Sequence, residues 1–82
     1  MRIQKRDGRI VPYEEEKIVE AIRKANNEVE EEYRADEGLI GEILEDVKRE
    51  GRELQTVEHV QDIIEEGLVG HNKYALAKKY IV

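Results

Sequence analysis

The sequence predicts an α+β fold, a four-helix bundle capped by a small three-stranded β-sheet made of an N-terminal hairpin plus one short strand. Three observations predict it. Asp7-Gly8 sits between two short stretches that carry Ile3, Ile10, Val11 and Tyr13. Four later segments repeat apolar residues at helical spacing. The last three of them open at residues able to cap a helix, Asp36, Thr56 and Asn72. At 82 residues the chain makes one domain over 1–82. A domain of that size buries somewhat over ~60% of its unfolded surface, which leaves no room for a two-lobed enzyme.

Residues 2–13 read as the hairpin. Asp-Gly is the pair favoured by a type I′ turn, where both central residues take positive φ. Pro12 cannot donate a ladder hydrogen bond, so the second strand is an edge or ends there. A lone hairpin is marginal in water and must pack on something.

The first helix is predicted over about 14–27. Ile18, Ile22, Ala25 and Val29 form its stripe, and Val19 and Ala21 widen it. Glu14, Glu15 and Glu16 suit its positive end, and Arg23 and Lys24 its negative end. Asn26-Asn27 marks its termination, and an acidic, partly helical connector follows over 28–36. The second helix spans about 36–50, with Leu39, Ile40, Ile43, Leu44 and Val47 on one face and Gly51 as its stop. Gly41 weakens it somewhat. Glu53-Leu54-Gln55 suits a third strand. The third helix covers about 56–69, with Val57, Val60, Ile63, Ile64 and Leu68 inward and Gly70 as its stop. The fourth covers about 73–82, with Tyr74, Leu76, Ala77, Tyr80 and Ile81 available for packing. The helical pattern runs to the last residue without a stop signal, as in a piece of a longer protein.

Charged residues make up 41% of the chain, so the 39% that is hydrophobic must be well placed to build a core. The net charge of −6 argues against nonspecific nucleic-acid binding. Its distribution is uneven. Arg2, Lys5, Arg6 and Arg9 face only Asp7 at the N-terminus, whereas 28–46 holds nine acids against Arg34. Lys73, Lys78 and Lys79 face no acid over 71–82. Basic ends around an acidic middle suit a local anion site on an otherwise repulsive, soluble body. No apolar run approaches the ~20 residues of a membrane span, and a cytoplasmic setting is expected.

 The absences are informative too. There is no cysteine, no serine and one threonine, so nucleophilic catalysis has almost nothing to use. Neither a P-loop nor a Gly-x-Gly-x-x-Gly fingerprint occurs. Two histidines and no cysteine disfavour a dedicated metal site. The chain reads as a regulatory or binding module and not as an enzyme.

What remains is the segment from Lys5 to Ile18. A triphosphate needs several convergent donors, and Lys5, Arg6 and Lys17 are the candidates. Lys5 and Arg6 leave opposite faces of an ideal strand, so a bulge or the turn is needed to bring both to one ligand. The start of the third helix at Thr56 adds oriented backbone N–H groups. On these residues alone the Lys-Arg-Asp-Gly tip reads as a solvated hairpin end. His59 reads as a surface histidine in the first turn of the third helix, and His71 as a structural turn residue. Tyr74 and Tyr80 read as core-edge residues and not as stacking platforms.

The order KRDGRIVPYEEEKIVEAIRKA, then TVEHVQDIIEEGL, then HNKYALAKKYIV resembles the ATP-cone domain. That domain stands at the N-terminus of many ribonucleotide reductase large subunits and in the repressor of their genes. The resemblance covers nearly the whole chain; 28–51 matches only in length and pattern. It implies four helices under a three-stranded sheet, with ATP or dATP bound beneath that sheet together with Mg2+. It further implies activation by ATP and inhibition by dATP through subunit assembly, with reductase subunits or other cone domains as partners. Carried over by position, Lys5 and Arg6 stand at the phosphate-contacting pair, and Ile3 and Val11 where strands cover the base. Glu14 and Lys17 stand at polar positions near the nucleotide, and Thr56 at a polar contact of the third helix. His59 lies one position before a histidine contact of some members, where this chain has Val60. A basic residue that often follows the last helix would lie beyond Val82, and Glu14-Glu15-Glu16 is more acidic than is usual there.

Two other readings compete with a reductase regulatory domain. One is a cone that has lost nucleotide binding and serves as a protein–protein contact. The other is the cone of the repressor, which needs a cysteine-ligated zinc module ahead of it; this chain opens on a strand and has no cysteine.

Overall fold

The computed structural model describes residues 1–50 and 52–81, with the side chain of Ile81 outside the described set. Its strands are β1 (Arg2–Gln4), β2 (Ile10–Pro12) and β3 (Leu54–Thr56). Its helices are α1 (Glu15–Asn26), α2 (Glu37–Arg49), α3 (Val57–Gly70) and α4 (Tyr74–Ile81). A single 3-10 turn, Glu31–Tyr33, lies in the acidic connector. This is the predicted α+β architecture, four helices with a three-stranded sheet. The predicted stop at Gly51 and the packing role of Ile81 fall outside the described residues.

The sheet order is β2-β1-β3, with β1 antiparallel to β2 and parallel to β3. Ile3 is paired with Val11 on one side and Gln55 on the other. Directly paired residues share a face, so these three form the inner face of the sheet. β2 is an edge strand and ends at Pro12, where the missing N–H costs nothing.

The hairpin turn is not the predicted type I′. Gly8 has φ +90°, but Asp7 is not in the positive-φ region. Gly8 N donates to Lys5 O at 2.9 Å, and Lys5 N donates to Arg9 O at 2.8 Å. This is a three-residue loop, a tight turn closed by a left-handed glycine that forms a bulge. Asp7 stabilises it from the side: its carboxylate accepts from the Arg9 backbone at 3.0 Å and from Arg9 Nε at 2.7 Å.

The helix starts follow from capping chemistry. Asp36 accepts from Leu39 N at 2.8 Å, and Thr56 Oγ1 accepts from His59 N at 3.1 Å. The end of α3 departs from expectation. The helix runs through Gly70, and Asn72 takes the left-handed conformation instead, at φ 63°. Asn72 N donates to Val69 O and Lys73 N to Leu68 O, each at 2.9 Å. That pair of bonds is the Schellman closure. Asn72 therefore closes α3, and its Oδ1 accepts from the Tyr74 hydroxyl at 2.9 Å.

The core draws on every helix. Ile22, Ile43, Val47, Ile64, Leu68 and Leu76 are its fully buried large residues. α3 packs on both α2 and α4, and α1 packs on α4. Two predicted packing residues differ: Ala21 is exposed, and Tyr74 is 51% exposed. Asn26 ends α1 and holds the connector, accepting from Ala35 N at 2.9 Å and donating to Ala35 O at 3.0 Å.

Candidate functional site: a cleft beneath the sheet

Where the hairpin meets the starts of α1 and α3, the bundle leaves a cleft of about 320 Å³. That lies at the lower end of the range for small-molecule sites. Ile3 and Val11 supply its sheet side, and the Pro12–Tyr13 link its edge. The entry to α1 contributes Glu14, α1 itself Lys17 and Ile18, and α3 Val57, Val60 and Gln61. Both sets follow the same i, i+3, i+4 spacing, which places three residues on one helical face. Tyr80 of α4 lines it as well. The arrangement is an apolar slot with charge at its mouth.

Lys5 belongs to the cleft because strand alternation puts it on the face of Ile3. It makes no ion pair among the described residues. Lys17 Nζ lies 3.3 Å from Glu14 Oε2. Arg6 leaves the turn toward α3, where Nε donates to Glu58 Oε1 at 2.9 Å and Nη2 to Gln61 Oε1 at 3.1 Å. Two tyrosines tune the far side. Burial pushes the phenol pKa of both Tyr13 and Tyr80 up; for Tyr13 the charges of Glu15 and Tyr80 add to it. The Tyr13 hydroxyl is buried with no hydrogen-bond partner among the described residues.

An apolar slot beneath a short sheet, with cations at its mouth, suits a ligand with a flat face and an anionic tail. A family model, the ATP cone domain, matches residues 1–82. The chain belongs to the ATP-cone family. ATP-cone domains bind ATP or dATP as effectors and are regulatory, not catalytic.

Six of the nine positions singled out from the sequence meet in the cleft of this ATP-cone: Ile3, Lys5, Val11, Glu14, Lys17 and Val60. Arg6, Thr56 and His59 do not line it. Arg6 stands at its rim, tied to Gln61, and the Thr56 hydroxyl is taken up by the helix cap. His59 turns toward the end of α2, where its Nε2 lies 3.7 Å from Glu50 Oε2. That nitrogen is buried without a hydrogen-bond partner among the described residues. The helix geometry explains the split: Val57, Val60 and Gln61 share one face, and His59, two residues from Val57 and from Gln61, lies off it.

Sequence reading missed Pro12, Tyr13, Ile18, Val57, Gln61 and Tyr80 as cleft residues. Their signal was present in part. The i, i+3, i+4 set from Glu14 extends to Ile18, and the set from Val57 extends to Gln61. Nothing local in the sequence places Tyr80, which reaches the cleft only because α4 packs along α1.

Proposed function

We propose that this ATP-cone senses ATP and dATP in the cleft beneath its sheet and regulates a ribonucleotide reductase through subunit assembly. One observation carries the reading: the cleft pairs an apolar slot, formed by Ile3, Val11, Val57 and Val60, with Lys5 and Lys17. The slot suits the adenine ring, and the cations suit the phosphates. Arg6 at the rim extends the basic side. Among the described residues no group of three His, Cys, Asp or Glu side chains is arranged to hold a metal ion. In this reading Mg2+ arrives with the phosphates and offsets the charge of Glu14. ATP and dATP must then favour different assemblies with reductase subunits or other cones, because a ligand with no differential affinity shifts nothing.

Alanine at Lys5 and Lys17 tests the site. The double variant should keep its circular dichroism spectrum and lose the thermal stabilisation that ATP confers. An unchanged ATP response in the folded variant contradicts the phosphate assignment.

A further inference from the structure

Arg6 is bound to a carboxylate, and that carboxylate is not part of the cleft. Its partners Glu58 and Gln61 lie 52 and 55 residues away, so the contact exists only in the folded chain. Gln61 lines the cleft; Glu58 does not. The guanidinium therefore directs its fork at the first turn of α3. Glu58 is held ionised there, its carboxyl below the usual carboxylate value through its own backbone N–H and the Arg6 side chain. The Arg6 and Glu58 side chains are 69% and 55% exposed, so water and solutes reach both. A pair this exposed is weak enough to open.

We propose that Glu58 is a built-in competitor of the ligand's anionic group for Arg6. A polyphosphate that takes the Nε edge of Arg6 at the mouth of the cleft displaces Glu58, whereas the neutral Gln61 can keep its contact to Nη2. The exchange weakens polyphosphate binding about two- to five-fold, the range set by exposed ion pairs. It also leaves the hairpin tip tied to α3 through Gln61 alone, so occupancy of the cleft is coupled to the contact between hairpin and helix. The proposal rests on the nucleotide reading for the identity of the ligand; the competition holds for any polyphosphate. A purely structural pair predicts the opposite sign, since losing Glu58 would loosen the hairpin and weaken binding.

The test titrates the chain with inorganic tripolyphosphate and, separately, with ATP. The readouts are the Arg6 Nε–Hε resonance and calorimetry, with folding checked by circular dichroism. Glu58→Gln should lower the half-saturating tripolyphosphate concentration about two- to five-fold. Asp62→Asn makes the same charge change one turn further along α3 and should give a much smaller gain. Glu58→Gln should give no gain in an Arg6→Gln background. Equal or weaker binding by Glu58→Gln overturns the proposal. So does an equal gain from Asp62→Asn, or an Arg6 resonance that no variant moves with tripolyphosphate. ATP binding no tighter than tripolyphosphate contradicts the adenine-nucleotide reading, and the tripolyphosphate series still decides the competition.

Discussion

Gly67 of α3 lies so close to Ile43 of α2 that a Cβ built on it would stand 2.7 Å from Ile43 Cγ1. This approach sets the spacing of the two helices under the sheet. A methyl group there must push Ile43, a fully buried residue, out of its place.

Gly67→Ala should therefore destabilise the domain by about 1–3 kcal/mol, although alanine is the better helix former. Gly41→Ala supplies the contrast. Nothing lies within 4 Å of its built Cβ, and stability should rise by roughly 0.5–1 kcal/mol. Urea unfolding of both variants checks the pair; equal effects would contradict the packing described.

The Asn26 side chain satisfies both backbone groups of Ala35, a buried residue. Asn26→Ala leaves those groups without that partner and should cost about 1–3 kcal/mol. Urea midpoints measure it, and amide exchange at Ala35 should quicken in parallel.

Gln55 is 2% exposed, and neither end of its amide has a hydrogen-bond partner among the described residues. Replacing such a group by an apolar one of similar size removes an unpaid desolvation cost. Gln55→Leu should raise stability by roughly 1 kcal/mol. A clear loss in urea unfolding would show that the amide is partnered in solution.

Tyr13 and Tyr80 are raised above the ordinary tyrosine value of 10.0 by burial. The unfolded chain therefore ionises first as pH rises. Stability from these phenols is intact below pH 10 and falls as pH climbs through their folded values. Phenolate absorbance should show both titrating late, and Tyr80→Phe should reduce the alkaline loss of stability. A loss of the same size in Tyr80→Phe would contradict the role of Tyr80.

Much of the fold was legible because its signals are local. Asp36 and Thr56 cap the helices they precede, and the apolar stripe of α2 is buried as its spacing predicts. The turn was misread because Asp-Gly suits two hairpin loops, and strand register decides between them. Asn72 was misread because asparagine can open a helix or close one; its left-handed backbone serves the end of α3. For the cleft, residues on one strand or one helical face were legible together. Arg6 was not, since its partners lie on α3, more than fifty residues away. Nor was Tyr80, which depends on how α4 packs.

The most direct test of adenine-nucleotide sensing is isothermal titration calorimetry of this chain with ATP, dATP and GTP, each with Mg2+ at moderate salt. The account predicts heat and saturation with ATP and dATP, and none with GTP at the same concentrations. Silence with all three, or equal binding of GTP, would contradict it.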